Sequence, residues 1–440
     1  MAIVGQANTD PQTVTIEKAS AMVLPTPESL APGAALDVLR NVTTIDGTVG
    51  DLAVVDGHLS TSIGDVAGPA GVEATGWMLL PPLADMHAHI DKAYTWEMAG
   101  RPAGSLEDAV ACWQRFGAAL TEEQIQHNGR RALLAALRAG VTTMRTHVNF
   151  HEGADPLRGL RAIVALRDEF AGLVDLQIVA MHGYLHAADL VREAIGIGAD
   201  LLGGAPHLSP DPAAEMDRTI ALADEAGIGV DFHTDETLNP ASLDVVHLAN
   251  ATAHWAPERT RTAGHCVSLA VQPSDRLTEV LSTVAAAELS IVTNPLTNLY
   301  LQGWDHPVST PRAVPPLRAI RAAGVVLAAG GDNVQDPFNP LGNGDMVDVA
   351  AALVIAGHLS PDEAWHVASA GRTLLGMAPA RGAHGDVADL LLVRASSVAE
   401  ALAERAPDRV VVRDGRVVAT RHLSTATVDI RTPAPKEITV

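Results

Sequence analysis

The chain opens and closes with short, turn-punctuated apolar runs, and its middle alternates between two patterns of a different kind. From about residue 35 to 80, stretches such as Leu36-Asp-Val-Leu-Arg and Gly50-Asp-Leu-Ala-Val-Val are separated by Asp46-Gly47 and Asp56-Gly57, which reads as hairpins. The far end repeats this, with Ala388-Asp-Leu-Leu-Leu-Val followed by a Val-rich pair of strands around Asp414-Gly415. Both ends are therefore expected to meet in one small β-sandwich domain. The first twenty or so residues, polar from Gln6 to Thr15, read as a loose leader or an arm.

Between these ends, short runs of Val, Ile and Leu alternate with longer segments of helical spacing, such as Arg130-Arg-Ala-Leu-Leu-Ala-Ala-Leu-Arg-Ala-Gly. Eight strands are expected, at 79–87, 141–147, 174–182, 200–207, 228–233, 262–265, 290–294 and 325–331. Alternating β and α segments imply a parallel sheet, and eight units in roughly 300 residues favour a closed barrel. A doubly wound sheet is disfavoured because no G-x-G-x-x-G turn follows the first strand. The expected architecture is α/β: residues 1–80 supply the N-terminal part of the β-sandwich domain, 81–378 a (β/α)8 TIM-type barrel, and 379–440 the C-terminal part of the sandwich.

Composition narrows the function classes. Thirty Lys and Arg against 52 Asp and Glu leave the 440-residue chain with a net charge of −22. Such a field repels nucleic-acid backbones and anionic lipid. Two cysteines supply neither a disulfide framework nor a cysteine-based zinc site, and no apolar run reaches the length of a spanning helix. The chain reads as a soluble, cytoplasmic protein. Its 18 histidines are what composition leaves unexplained.

Those histidines cluster where a barrel does chemistry. His87 and His89, His147, His182, His207, His233, His265, Asn294 and Asp332 stand at or just beyond the ends of the expected strands, and strand C-termini share one face of a barrel. In His87-Ala88-His89 the i, i+2 spacing sends both imidazoles to one side of a strand. Imidazole with carboxylate suits one divalent ion such as zinc or iron, and His233 and Asp332 are the natural further ligands. Glu236, three residues past His233, is placed to shuttle a proton between water and a leaving nitrogen, with Asp235 its competitor. His265 would orient the water; strand alternation turns its neighbour Cys266 away. His147 and His207 remain open between mouth residues and structural histidines.

The order H-x-H on strand one, His on strands five and six and Asp on strand eight resembles the amidohydrolase superfamily, and specifically its cytosine deaminase-like branch, over essentially the whole chain. The segments that carry the likeness are 86–92 (MHAHIDK), 145–148 (RTHV), 175–180 (DLQIVA), 294–303 (NPLTNLYLQG) and 331–342 (GDNVQDPFNPLG). The resemblance implies His87, His89, His233 and Asp332 as ligands of one zinc or iron ion. It also implies Glu236 as proton shuttle and His265 as holder of the hydrolytic water, with Asp332 taking part in activating it. No lysine lies after strand four to bridge two metals. Barrels of this branch often form homo-oligomers.

Where the chain departs from the branch, it does so among substrate contacts. A second aspartate of the family pattern is Asn333 here, a tryptophan is Phe338, and the glutamine after strand three is replaced by a segment in which His182 is the nearest polar group. The region after Asp332 also resembles isopropylammelide hydrolases. The implied activity is a metal-dependent aminohydrolase acting on the exocyclic C–N bond of a small nitrogen heterocycle. Hydrolysis of an N-alkylamino-triazine or cyclic amide by the same site is the alternative. Of the other classes considered, a non-catalytic binding barrel would be expected to have lost a ligand. A phosphate-recognising barrel would need an anion site that Asp332 opposes.

Overall fold

The computed structural model describes residues 30–62 and 71–422; the expected polar leader lies outside them. Eight parallel strands form the barrel in sequence order: Leu83–Ala88, Val141–Asn149, Asp175–Met181, Leu201–Gly203, Gly229–Thr234, Arg261–His265, Ser290–Thr293 and Leu327–Ala329. A parallel bridge between Ala88 and Asp332 brings the first and last together, with His89 N–H donating to Asp332 O and Asp332 N–H to His87 O. Closure therefore occurs at the residues that carry the candidate chemistry.

Local signals set the helices between the strands. Glu122–Arg138 starts at Thr121, whose side chain accepts from Gln124 N–H while Gln124 returns a bond to the Thr121 backbone. Gly140, at φ 98°, ends the segment, and a Cβ there would meet Leu391 at 2.7 Å. The same reciprocal cap, from Ser105 and Asp108, opens Leu106–Gly117, which forms part of the cavity wall.

Strands from either side of the barrel segment, within residues 38–80 and 390–421, join one continuous hydrogen-bonded sheet. Its order runs Arg416–Arg421, Arg409–Arg413, Leu390–Arg394, Trp77–Leu80, Val38–Thr44, Val49–Val55, His58–Ser60, with Val72–Glu73 paired to Val38–Thr44. Alternation assigns its two faces. Leu79, Leu390, Leu392, Val410 and Val412 join the sheet's own core, while Met78, Leu80, Leu391, Val393 and Val411 join the barrel's.

Three strand expectations are corrected. The run 79–87 is two strands in two sheets, because Pro81-Pro82 offers no N–H to a ladder and breaks it there. The fourth strand ends at Gly203, and His207 sits instead in the turn Pro206–Leu208. The eighth strand covers only Leu327–Ala329 of the expected 325–331.

Arg409, fully buried, ties the end sheet to the barrel. It donates to Asp345 Oδ1 at 2.7 Å, to Ala139 O at 2.6 Å and to Ala406 O at 2.8 Å. Arg409→Ala takes a donor away from each of these acceptors and leaves Asp345 to Val347 N–H and Arg421 alone; it is expected to cost about 3–5 kcal/mol, read as a lower midpoint in urea unfolding.

Candidate active site

The barrel mouth opens onto a cavity of about 560 Å³, into which the ends of the first, fifth, sixth and eighth strands deliver His89, His233, Glu236, His265 and Asp332. His87 lies fully buried beneath them. His233 Nε2 stands 3.1 Å from His87 Nε2 and 3.0 Å from His89 Nε2, and Asp332 Oδ1 is 3.5 Å from His89 Nε2 and 3.9 Å from His87 Nε2. Burial holds the pKa of all three histidines well below the ordinary value, so the rings are neutral. A single N–H at His233 Nε2 cannot serve two facing nitrogens well, and Asp332 Oδ2 has no hydrogen-bond partner. Three imidazole nitrogens and a carboxylate converging in this way fit a divalent cation. Ligand atoms of His87, His147 and His233 also lie within 4.8 Å of one another, as do those of His87, His265 and Asp332.

Backbone geometry at the mouth is unusual for these side chains. Asp235, His265 and Asp332 take φ of 54°, 66° and 63°. Left-handed backbone at non-glycine residues costs about 1–3 kcal/mol each and is characteristic of sites where the surrounding structure dictates it.

The competition between Asp235 and Glu236 has a geometric answer. Asp235 Oδ1 accepts from Asp244 N–H at 2.6 Å and from Ser242 Oγ at 2.9 Å, and Oδ2 accepts from Val245 N–H, so this carboxylate holds the start of helix Asp244–Thr252. Glu236 instead lines the cavity, its Oε1 3.4 Å from His265 Nδ1. Burial raises the Glu236 pKa to about 8 against the opposing pull of Lys92. His265, its pKa lowered to about 3 by burial, is neutral, with Asn298 Nδ2 3.0 Å from Nδ1 and Asn294 Nδ2 3.3 Å from Nε2. Cys266 is fully buried beside Thr234 Oγ1, and burial pushes its thiol far up, so it is no nucleophile.

The two open histidines take different places. His147 is buried in the floor, its ring centroid 4.0 Å from that of His87 and its Nε2 3.7 Å from Asp231 Oδ1, which belongs to a carboxylate held by Arg145 at 2.7 Å. His207 lines the cavity, as do His182, Asn333 and Phe338. Asn333 Nδ2 donates to Asp336 Oδ2 at 2.7 Å, and Asp336 Oδ1 also accepts from Phe338 N–H, so one buried carboxylate shapes the loop after strand eight. Sequence reasoning passed over Asp336, Asn298 and Lys92. Lys92 is buried, with Nζ 4.6 Å from the centre of the Phe338 ring and 5.5 Å from that of Trp113. Its place directly after the H-x-H motif was the available signal.

Close packing against His87 makes Gly264 part of the site. A Cβ at residue 264 would fall 2.9 Å from His87 Cε1 and Nδ1. Gly264→Ala is expected to displace that imidazole and weaken divalent-ion affinity by about 10–100-fold, measured by competition with a chromophoric chelator.

Fold and site together define a barrel enzyme with a histidine–aspartate cluster at the C-terminal mouth. A model of the amidohydrolase family matches residues 98–419. The chain is similar to a pterin deaminase of Rhizobium rhizogenes, 32% identical over 419 residues that cover 88% of this chain and 94% of that protein. It is also similar to an N-isopropylammelide isopropyl amidohydrolase of Pseudomonas sp., 25% identical, covering 84% and 92%. The crystal structure of 5-methylcytosine deaminase from Klebsiella pneumoniae liganded with 5-fluorocytosine superposes with a TM-score of 0.78 at 26% identity, covering 89% and 99%. The chain belongs to the amidohydrolase family and is a hydrolase of carbon–nitrogen bonds. Among the described residues no helix is long and apolar enough to cross a membrane.

Proposed function

We propose that the chain is a metal-dependent deaminase that replaces the exocyclic amino group of a small nitrogen heterocycle with oxygen, the barrel at 81–378 carrying the reaction site. The observation that carries this reading is the meeting of two groups of side chains in one cavity. His87, His89, His233 and Asp332 would hold one divalent ion, zinc or iron, while Glu236 and His265 lie beside it as groups able to move and orient a proton. The two deaminases to which the chain is similar support removal of an amino group.

When bound, the ion supplies positive charge that makes water acidic near neutral pH and polarises the carbon under attack. The chain's own residues do the rest. Glu236 accepts a proton from the attacking water and returns it to nitrogen, so that the C–O bond forms as the C–N bond breaks and ammonia leaves. His265, fixed between Asn294 and Asn298, orients the water, and Asp332 assists as a carboxylate facing the same space. Phe338 and Asn333 shape the pocket around the ring. Asn333 Nδ2 is held by Asp336, and its Oδ1 is the group it offers to substrate. His182 stands farther along the same cavity.

Release of an alkylamine in place of ammonia is the second reading, favoured by the similarity to the isopropylammelide hydrolase. Incubating zinc- or iron-loaded protein with cytosine, isocytosine, creatinine, isoguanine, pterin and amino- and isopropylamino-triazines distinguishes the two. Ammonia from at least one ring is expected; amine release confined to the alkylated triazines would replace the first reading with the second. Silence across the panel would rule out both.

A further inference from the structure

The wall of the cavity around His182 carries a carboxylate for which the reaction has no use. Glu215 lies in the first turn of helix Pro212–Ala226, after the fourth barrel strand, is 7% exposed and lines the cavity. Its Oε2 lies 3.5 Å from Arg218 Nε, while Oε1 is buried without a hydrogen-bond partner. A buried acceptor left without a donor costs about 1–3 kcal/mol, more for a charged group.

The neighbouring histidine cannot relieve it. Thr219 Oγ1 donates to Glu215 O at 3.0 Å, so the hydroxyl accepts from His182 Nε2–H at 3.2 Å. That tautomer leaves Nδ1 as a lone pair, which accepts from Arg218 Nη2 at 3.3 Å. Nδ1 is also the atom nearest Glu215 Oε1, at 3.5 Å, and it has no hydrogen to give. Burial keeps His182 neutral, its pKa about 4. Both nitrogens of His182 are thus satisfied within the protein, and beside it Glu215 Oε1 is an acceptor left with bonding capacity toward a ligand. Arg218 is anchored in turn by donating to His186 O at 2.7 Å, which steadies the whole arrangement.

We propose that Glu215 is a specificity-determining residue that accepts a hydrogen bond from an N–H or O–H donor on the substrate edge remote from the reacting amino group, with His182 and Arg218 as its positioning residues. This rests on the deaminase reading. It selects, within amino-heterocycles, those large enough to reach from the strand ends to the Glu215 wall and bearing a donor there, which points to two-ring systems. A cavity of about 560 Å³ has room for such a ligand.

The test is a binding comparison in metal-loaded protein carrying Glu236→Gln to stop turnover. Pterin and 7,8-dihydropterin share the reacting amidine, but the second carries an additional N–H on its pyrazine ring. At least tenfold tighter binding of 7,8-dihydropterin under anaerobic titration is expected. Adding Glu215→Ala is expected to bring that ratio to within twofold of unity, and Glu215→Gln, whose amide oxygen still accepts, to retain part of it. Because the ratio is taken within one variant, a general loss of binding cancels. An unchanged ratio in the Glu215→Ala background, or failure of either compound to bind, overturns the assignment. Selective binding lost in Glu215→Ala, with no ammonia released by protein carrying Glu236, would instead sustain Glu215 as a recognition group and overturn the deaminase reading.

Discussion

Glu236→Gln is expected to lower kcat by about 10²–10⁴-fold on whichever amino-heterocycle is turned over, the range assigned to a positioned proton-transfer group. Glutamine keeps the size of the side chain and its hydrogen-bonding reach toward His265 and Asn298, so the cavity should persist and KM should change far less. The amide cannot take a proton from water and hand it on, and nothing adjacent replaces it. Asp235 is engaged by Ser242 and the backbone of residues 244 and 245, and His265 is kept neutral by burial. In protein without the ion, burial holds a proton on Glu236 up to about pH 8. Positive charge at the neighbouring cluster would pull this value down, making the carboxylate available as a base nearer neutrality. Steady-state kinetics of the variant across pH 6–9 decide the matter. Full turnover in Glu236→Gln would sink the proton-shuttle assignment, whereas a lost kcat with an intact substrate Kd supports it.

The site was legible in the sequence to the extent that it is built from strand ends. His87 and His89 are two residues apart at and just past the end of a strand, His233 and His265 close apolar runs, and Asp332 follows the last one, so near-extended geometry and barrel topology bring them to one face. The ends of the chain were legible too, since hairpin turns at Asp46-Gly47, Asp56-Gly57 and Asp414-Gly415 mark antiparallel strands locally. What pattern could not show were groups whose place depends on closure. Glu215 lies in a helix otherwise patterned for packing, and it becomes a cavity residue only because that helix starts over the mouth. Asn298 meets His265 across 33 residues of sequence, and Asp336 is indistinguishable from a turn aspartate until the loop is seen folded around it. The break at Pro81-Pro82 is a different kind of miss. The prolines were visible, but the apolar run on either side of them outweighed a donor count that settles where one sheet ends and the next begins.

Removal of the ion should abolish activity, and the pH dependence of its rebinding should identify the ligand that titrates. Purified protein is expected to contain one zinc or iron per chain, and His233→Ala or Asp332→Asn to lose both the ion and at least about a hundredfold in activity, since ligand loss should exceed the 10–100-fold typical of outer-shell partners. Cations compete with protons for their ligands. Burial lowers the pKa of His87, His89 and His233 well below the ordinary value, so these rings bind no proton near neutrality and release none when a cation arrives. Asp332 is the opposite case: burial, reinforced by the nearby Glu236 carboxylate, raises its pKa well above the ordinary value. Below that raised value the site holds a proton that the cation must displace. Affinity should then fall with falling pH by about tenfold per unit for each proton released, one from Asp332 and a second wherever the cation also draws the proton off Glu236. In Asp332→Asn the slope should fall by the one proton that Asp332 contributes, leaving any share that comes from Glu236. Chelator competition with zinc between pH 5.5 and 8, followed for the wild type and this variant, reads both slopes. A slope of three or four protons would show that the histidines are protonated in the ion-free site and would overturn the neutral-imidazole cluster. Full activity in chelator-treated protein with no divalent ion would overturn the metal site altogether.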